Sequence, residues 1–296
     1  MREEQPMKGR VAGAPISWGV CEVPGWGYQL PADRVLAEMR AVGLTATEFG
    51  PVGYLPADPD PRAALLAGHG LTAAGGFMPV VLHEPTVDPL PAVDQALDGF
   101  GGGHPVLVLA AATGQDGYDA RPELDADGWS ALLSNLDRAA ARAAERGFTA
   151  TLHPHVGTMV EGPDEVHRVL DGSGIPLCLD TGHLLIGGTD PAELTRAAAA
   201  RIGHVHLKDV TAAVAHKVAD HEISYADGVS GGLYRPLGQG DVDVAGVVGA
   251  LEAAGYQGWY VLEQDTILDG PPRDEGPVRA VRESLYYLRS LAGGSR

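Results

Sequence analysis

The sequence predicts an α/β chain of 296 residues folded as a single (β/α)₈ (TIM) barrel. Three observations carry that reading. Short apolar runs alternate strictly with helix-like segments, eight of the first and about eight of the second. Four successive later runs each end in His, Asp or Glu, as the strands of a parallel sheet do where chemistry sits past their carboxyl ends. No Gly-x-Gly-x-x-Gly follows the first run, so a doubly wound sheet lacks its usual fingerprint.

In order along the chain, residues 11–18 read as strand one, and 19–30 as a Gly- and Pro-rich loop. Pro31 opens a helix whose apolar face is Val35, Leu36, Met39 and Val42 and whose end is Gly43. Strand two is 44–48, tipped by Glu48, and a long aromatic loop fills 49–56. Asp60 followed by Pro61 is a cap-plus-proline start for helix two. Strand three is 71–77, and His83 and Glu84 lie in the loop after it. A helix at 89–100 is broken by Gly101, Gly102 and Gly103 before strand four at 105–112. Asp127 then caps a long helix in which Leu132, Leu133, Leu136, Ala140 and Ala143 recur at helical spacing, closed by Gly147.

Strand five is 148–153 and helix five 163–170. Strand six, Leu177–Asp180, and strand seven, Ile202–Leu207, flank a helix announced by Asp190, Pro191 and Glu193. Residues 211–241 read as a long irregular insert, a length that points to function. Helix seven (243–253), strand eight (258–263) and helix eight (275–291) complete the pattern.

Composition narrows the partners. The formal net charge of −18 argues against nucleic acid, which is bound through clustered Lys and Arg, and against an anionic membrane surface. No apolar run reaches membrane-spanning length, and residues 1–10 are polar with no signal core, so a cytoplasmic protein is expected. With 45% hydrophobic residues a real core is available. The two cysteines, Cys21 and Cys178, are too few for a disulfide framework, and Cys178 lies in a buried-type strand as a packed thiol.

The strand tips carry the chemistry. Asp180, His206 and Glu263 come from strands six, seven and eight, and mixed carboxylate and imidazole donors suit a divalent transition ion. Strand five offers a fourth ligand in His153, with His155 and Glu161 as alternatives. His204 is expected to face the helix layer as a structural residue. His183, three residues beyond Asp180, suits a general acid or base, since imidazole titrates near neutral pH. Lys208 lies two residues beyond His206, on the same side of the strand, where a cation can hold a substrate oxygen. Glu48 faces the barrel mouth and can bind a hydroxyl or move a proton. Trp18, Tyr54 and Trp26 on mouth loops can wall a polyol pocket, and Arg235 can reach over the substrate from the insert. Each also has a plainer reading as a salt link, loop hydrogen bond or packing group.

Several motifs resemble those of the xylose-isomerase-like TIM barrels. They are Ala14-Pro15-Ile16-Ser17-Trp18-Gly19, Thr47-Glu48-Phe49-Gly50-Pro51, His153-Pro154-His155-Val156-Gly157-Thr158, Leu179-Asp180-Thr181-Gly182-His183, His204-Val205-His206-Leu207-Lys208-Asp209 and Glu263-Gln264-Asp265. Within that group the pattern is most similar to the inosose dehydratases, over nearly the whole chain. The resemblance implies a divalent metal, Mn or Co first and Mg or Zn next, on Asp180, His206 and Glu263. Many relatives carry Glu where this chain has His153. The implied substrate is a keto-polyol such as 2-keto-myo-inositol, from which an enediolate route expels water. His183 or Glu48 would take the α-proton, and His155 or Lys208 would protonate the departing hydroxyl. A ketose epimerase or isomerase uses the same site. A multi-metal endonuclease is disfavoured by the acidic balance, and a non-catalytic sugar-binding barrel would leave its ligand unchanged. A homo-oligomer is compatible with the resemblance.

Overall fold

The computed structural model describes residues 7–293 except Asp116 and Ala120, so residues 1–6 of the polar N-terminal stretch lie outside the described residues. The strands are β1 (Val11–Gly13), β2 (Ala46–Glu48), β3 (Thr72–Val80), β4 (Val106–Ala111), β5 (Ala150–Leu152), β6 (Leu177–Asp180), β7 (Ile202–Leu207), β8 (Asp209–Val210), β9 (Tyr234–Arg235) and β10 (Tyr260–Leu262). The helices are α1 (Ala32–Ala41), α2 (Pro59–Gly68), α3 (Leu90–Phe100), α4 (Ala126–Glu145), α5 (Pro163–Gly172), α6 (Thr181–Ile186), α7 (Pro191–Ala198), α8 (Ala212–Ala219), α9 (Tyr225–Ser230), α10 (Val244–Ala253) and α11 (Pro277–Gly293). Eight strands close a parallel barrel in the order β1-β10-β7-β6-β5-β4-β3-β2, while β8 and β9 form a separate antiparallel pair. The chain is a TIM barrel, as the alternation predicted.

Four local expectations change. The first strand stops at Gly13, and Pro15–Trp18 is a 3₁₀ turn; proline, with no N–H to donate to a ladder, starts a helical turn instead. Helix α2 is capped by Asp58, not Asp60, with Pro59 at its first position. Helix α4 is capped by Asp125, whose side chain accepts the Gly128 N–H at 2.8 Å, not by Asp127. In both, the later aspartate sits in the first turn, where a negative charge is also favoured. The 211–241 insert is folded rather than irregular: it holds α8, α9 and β9. Buried Asp209 fastens its return, accepting the N–H groups of Gly238 (2.8 Å), Gly240 (2.9 Å) and Val242 (3.0 Å).

The apolar core has two parts. The larger lies with the helices around the barrel, and the smaller is Ala12, Ala14, Ala46, Ala74 and Val261 on the β10-β1-β2-β3 side. The polar counterpart inside the barrel is built from His153, Asp180, His204 and His206, all buried, near β5, β6 and β7. Glu48 on β2 reaches across: its Oε1 accepts from His204 Nε2 at 2.7 Å and from His206 Nε2 at 3.0 Å. His204 therefore faces the barrel interior, not the helix layer. Residues two apart on a strand share a face, so His204, His206 and Lys208 belong together. Gly75 on β3 leaves the space for this link, since a Cβ there would stand 2.9 Å from Glu48 Oε1.

Replacing Asp209 by Ala would leave three backbone donors unpaired. The expected loss is about 2–4 kcal/mol of stability, to be read from chemical unfolding at neutral pH; an unchanged midpoint would show that the insert is held by other contacts.

Candidate active site and metal centre

β6 ends at Asp180 and α6 starts at the next residue. Asp180 Oδ1 caps that helix, accepting the N–H groups of Gly182 (2.9 Å) and His183 (2.8 Å). The other oxygen, Oδ2, is left to face the barrel interior. There it lies 3.1 Å from His153 Nε2 and 3.5 Å from His206 Nδ1. Glu263, just past β10, brings its Oε2 within 3.2 Å of His206 Nδ1. One donor atom each from Asp180, His206 and Glu263 thus lies within 4.8 Å of the other two. Gly182 is needed here because a Cβ would stand 2.7 Å from Lys208 Cβ, blocking the approach of the strand-seven tip.

This donor set fits a divalent cation. His206 Nε2 is engaged with Glu48, while its Nδ1 is buried without a hydrogen bond and faces two carboxylates. A carboxylate behind the far nitrogen is the arrangement that orients a metal-binding imidazole. The charge balance agrees. Three buried carboxylates, Asp180, Glu263 and Asp265, share one buried ammonium, Lys208, and a fourth, Glu48, sits against His204 and His206. Without a metal the imidazole takes up part of the deficit. Burial opposes charge on His206, but Glu263 and Glu48 outweigh it and raise its pKa well above the ordinary value. Burial also opposes charge on Asp180, yet the Lys208 ammonium and the His153 hydrogen bond hold its carboxyl well below the usual range.

His153 stands next to the trio through its 3.1 Å contact with Asp180. His155 and Glu161 do not join it. The His155 Nδ1–H donates to Val156 O at 2.7 Å, and Glu161 turns away to accept the Gly157 N–H at 2.8 Å. Glu161 also lies 3.5 Å from Arg121.

His155 lines the cavity above the trio; His183 does not. The two rings stack with centroids 3.6 Å apart, and His183 Nε2 accepts from Lys208 Nζ at 2.9 Å. Burial, then the neighbouring His153 and Lys208, pushes His155 down to about 3. Burial, His155 and Lys208 push His183 well below its ordinary value. Both rings are neutral at pH 7. Lys208 stays charged: burial disfavours it, but Asp180, Asp265 and Glu263 raise its pKa well above the ordinary value. Asp265 is in turn held by Tyr225, whose OH donates to Oδ2 at 2.7 Å and accepts from Tyr234 OH at 2.7 Å.

Three of the four residues expected to wall or cover the pocket lie elsewhere. Trp18 is fully buried, donating from Nε1 to Glu38 at 2.8 Å, because the Pro15 turn swings it toward α1. Tyr54 lies outside the cavity lining, its OH buried without a partner. Arg235 is exposed on β9, and its neighbour Tyr234 is the residue turned inward. Trp26 does line the cavity, with Ile16, Val20, Phe77 and Tyr118. Much of the lining is therefore apolar and comes from the loops after β1 and β2 and from β3 itself, where the Phe77 ring lies 6.0 Å from that of His153. Asp265 was visible in the motif Glu263-Gln264-Asp265, whereas Phe77, Tyr118 and Tyr225 carried no local signal.

A closed barrel with acid, base and cation-binding side chains gathered past its strand ends has the form of a barrel enzyme. Residues 36–291 match the model of the xylose isomerase-like TIM barrel family, and the chain belongs to that enzyme family. It is 33% identical over 314 residues to the rhizopine catabolism protein MocC of Rhizobium meliloti, covering 99% of this chain and 94% of the relative. It is 29% identical over 293 residues to an inosose dehydratase of Geobacillus thermodenitrificans, covering 95% and 96%. The structure of an L-ribulose 3-epimerase superposes with a TM-score of 0.67 at 17% identity, over 96% of this chain and 95% of that one, a likeness of fold.

The neutral histidines make the metal-free protein acid-sensitive. Their folded-state pKa lies below the unfolded value, so the unfolded chain binds more protons between pH 6.5 and about 3, and stability falls with pH through that window. Thermal unfolding of the metal-free His155→Gln variant should decline less steeply there than the wild type. An identical decline would assign the sensitivity to other groups.

Proposed function

We propose that this chain is a divalent-metal-dependent hydro-lyase that removes water from a keto-polyol, with 2-keto-myo-inositol as the type substrate. The observation that carries the reading is the trio of Asp180, His206 and Glu263, of which His206 and Glu263 line a cavity that also presents His155 and Lys208, with Asp180 buried behind them. The relatives named inosose dehydratase support the substrate class and the reaction.

Asp180 Oδ2, His206 Nδ1 and Glu263 Oε2 would hold the ion, with His153 beside them, and Glu48 would orient His206. The mixed N and O donors suit Mn or Co, with Mg or Zn as alternatives. When bound, such an ion supplies Lewis-acid stabilisation of the negative charge that develops on the ketone oxygen.

The remaining work belongs to side chains. Dehydration takes a proton from the carbon next to the ketone and expels the β-hydroxyl with a second proton, as water. His155 would take the first proton. Its Nδ1–H is committed to Val156 O, which leaves the Nε2 lone pair available in the cavity lining. The sequence reading gave this step to His183 or Glu48; with His183 Nε2 held by Lys208 and Glu48 Oε1 held by His204 and His206, the step would pass to His155. The Lys208 ammonium is the donor for the departing hydroxyl, with His183 behind it to keep one N–H directed. The apolar wall of Ile16, Phe77 and Trp26 packs the C–H faces of the ring and excludes water from the reacting side. The two free thiols suit a reducing, cytoplasmic setting.

Incubation of manganese-loaded protein with keto-inositols should give a product lighter by one water in the mass spectrum. A product of unchanged mass would replace this reading with the epimerase or isomerase one, and an unchanged ligand would replace it with a binding role. Asp180→Asn should lower kcat by at least about 10³-fold and abolish manganese binding while the circular dichroism spectrum stays native. A fully active Asp180→Asn protein would refute the site.

A further inference from the structure

We infer that Lys208 competes with the metal for its carboxylates, and that Asp265, fixed by the 211–241 insert, sets how strongly it competes. The inference rests on the metal reading above. Lys208 Nζ lies 3.3 Å from Asp180 Oδ2 and 3.0 Å from Glu263 Oε2, the same two oxygens that face His206 Nδ1 in the trio. An ammonium and a divalent ion are therefore offered the same lone pairs. They repel each other in a setting where Lys208 is only 2% exposed and water screens little.

The ammonium has a second set of partners. Asp265 Oδ1 is 2.9 Å away and His183 Nε2 also 2.9 Å. Asp265 is not free to follow the lysine. Tyr225 on α9 pins its other oxygen at 2.7 Å, and Tyr234 on β9 pins Tyr225 at 2.7 Å. The Tyr234 ring also lies under the ammonium, 5.5 Å from Nζ to its centroid. The insert thus supplies an anchor that draws the positive charge away from Asp180 and Glu263. Asp265 acts as a positioning residue: it governs cation binding through Lys208.

Manganese titrations followed by electron paramagnetic resonance of the free ion test this on the full-length protein without any turnover. Lys208→Met removes the competitor and should tighten manganese binding about tenfold. Asp265→Asn leaves the ammonium leaning on the trio and should weaken binding about tenfold. General damage to the site would weaken both. The double variant separates a lysine-mediated effect from the direct loss of a nearby negative charge: it should bind as tightly as Lys208→Met alone. Tyr225→Phe keeps every charge and should weaken binding about two- to threefold, which serves if the lysine variant does not fold. Unchanged or weaker binding by a folded Lys208→Met protein overturns the inference, as does an Asp265→Asn loss that persists in the double variant. If Lys208→Met does not fold, wild-type affinity in Tyr225→Phe overturns it. A wild-type protein that takes up no manganese sinks the metal reading itself.

Discussion

One carboxylate stands at the junction of fold and site. Asp180 ends a barrel strand, starts a helix and faces the barrel interior, and its two oxygens serve different neighbours. Because Oδ1 is held by two backbone N–H groups, Oδ2 has a fixed direction before any ligand arrives. That preorganisation propagates. His153, His206 and Lys208 all take their positions against Oδ2, and Glu48 and Glu263 then take theirs against His206. The orientation of the Asp180 carboxylate is thus set by backbone hydrogen bonds, while its neighbours are held by side-chain contacts.

Burying so many like charges is costly, and the site answers with opposite charge at short range. Lys208 touches three carboxylates, and so does the imidazole of His206. A lone buried carboxylate would shift its pKa and neutralise instead. Asp265 shows the tendency: burial raises its pKa even with Lys208 2.9 Å away.

Much of this was legible in the chain. Leu177–Asp180 and Ile202–Leu207 announce buried parallel strands that end in functional groups, and both strands have the expected bounds. The barrel follows from the alternation of such runs with helices. What local pattern could not supply was the outcome of competition between neighbours. Asp58 and Asp60, or Asp125 and Asp127, offer the same helix-start signal two residues apart. Trp18 and Trp26 both lie near the mouth, and only the turn at Pro15 decides which ring turns into the cavity. The Tyr225–Asp265 pair spans 40 residues and has no periodic signature. His204 is a different case, since the two-residue period of a strand already placed it beside His206.

The barrel interior is partitioned. Alanines of β1, β2 and β3 occupy one side, with Ile16 and Val20 from the loop after β1 and Phe77 from β3, while the ionisable groups, apart from Glu48 on β2, arise mostly from β5, β6, β7 and the residues just past β10. Reaction chemistry and shape selection are thus encoded by separate arcs of one ring. A scaffold divided in this way can change the shape of its cavity while keeping its ionisable groups in place.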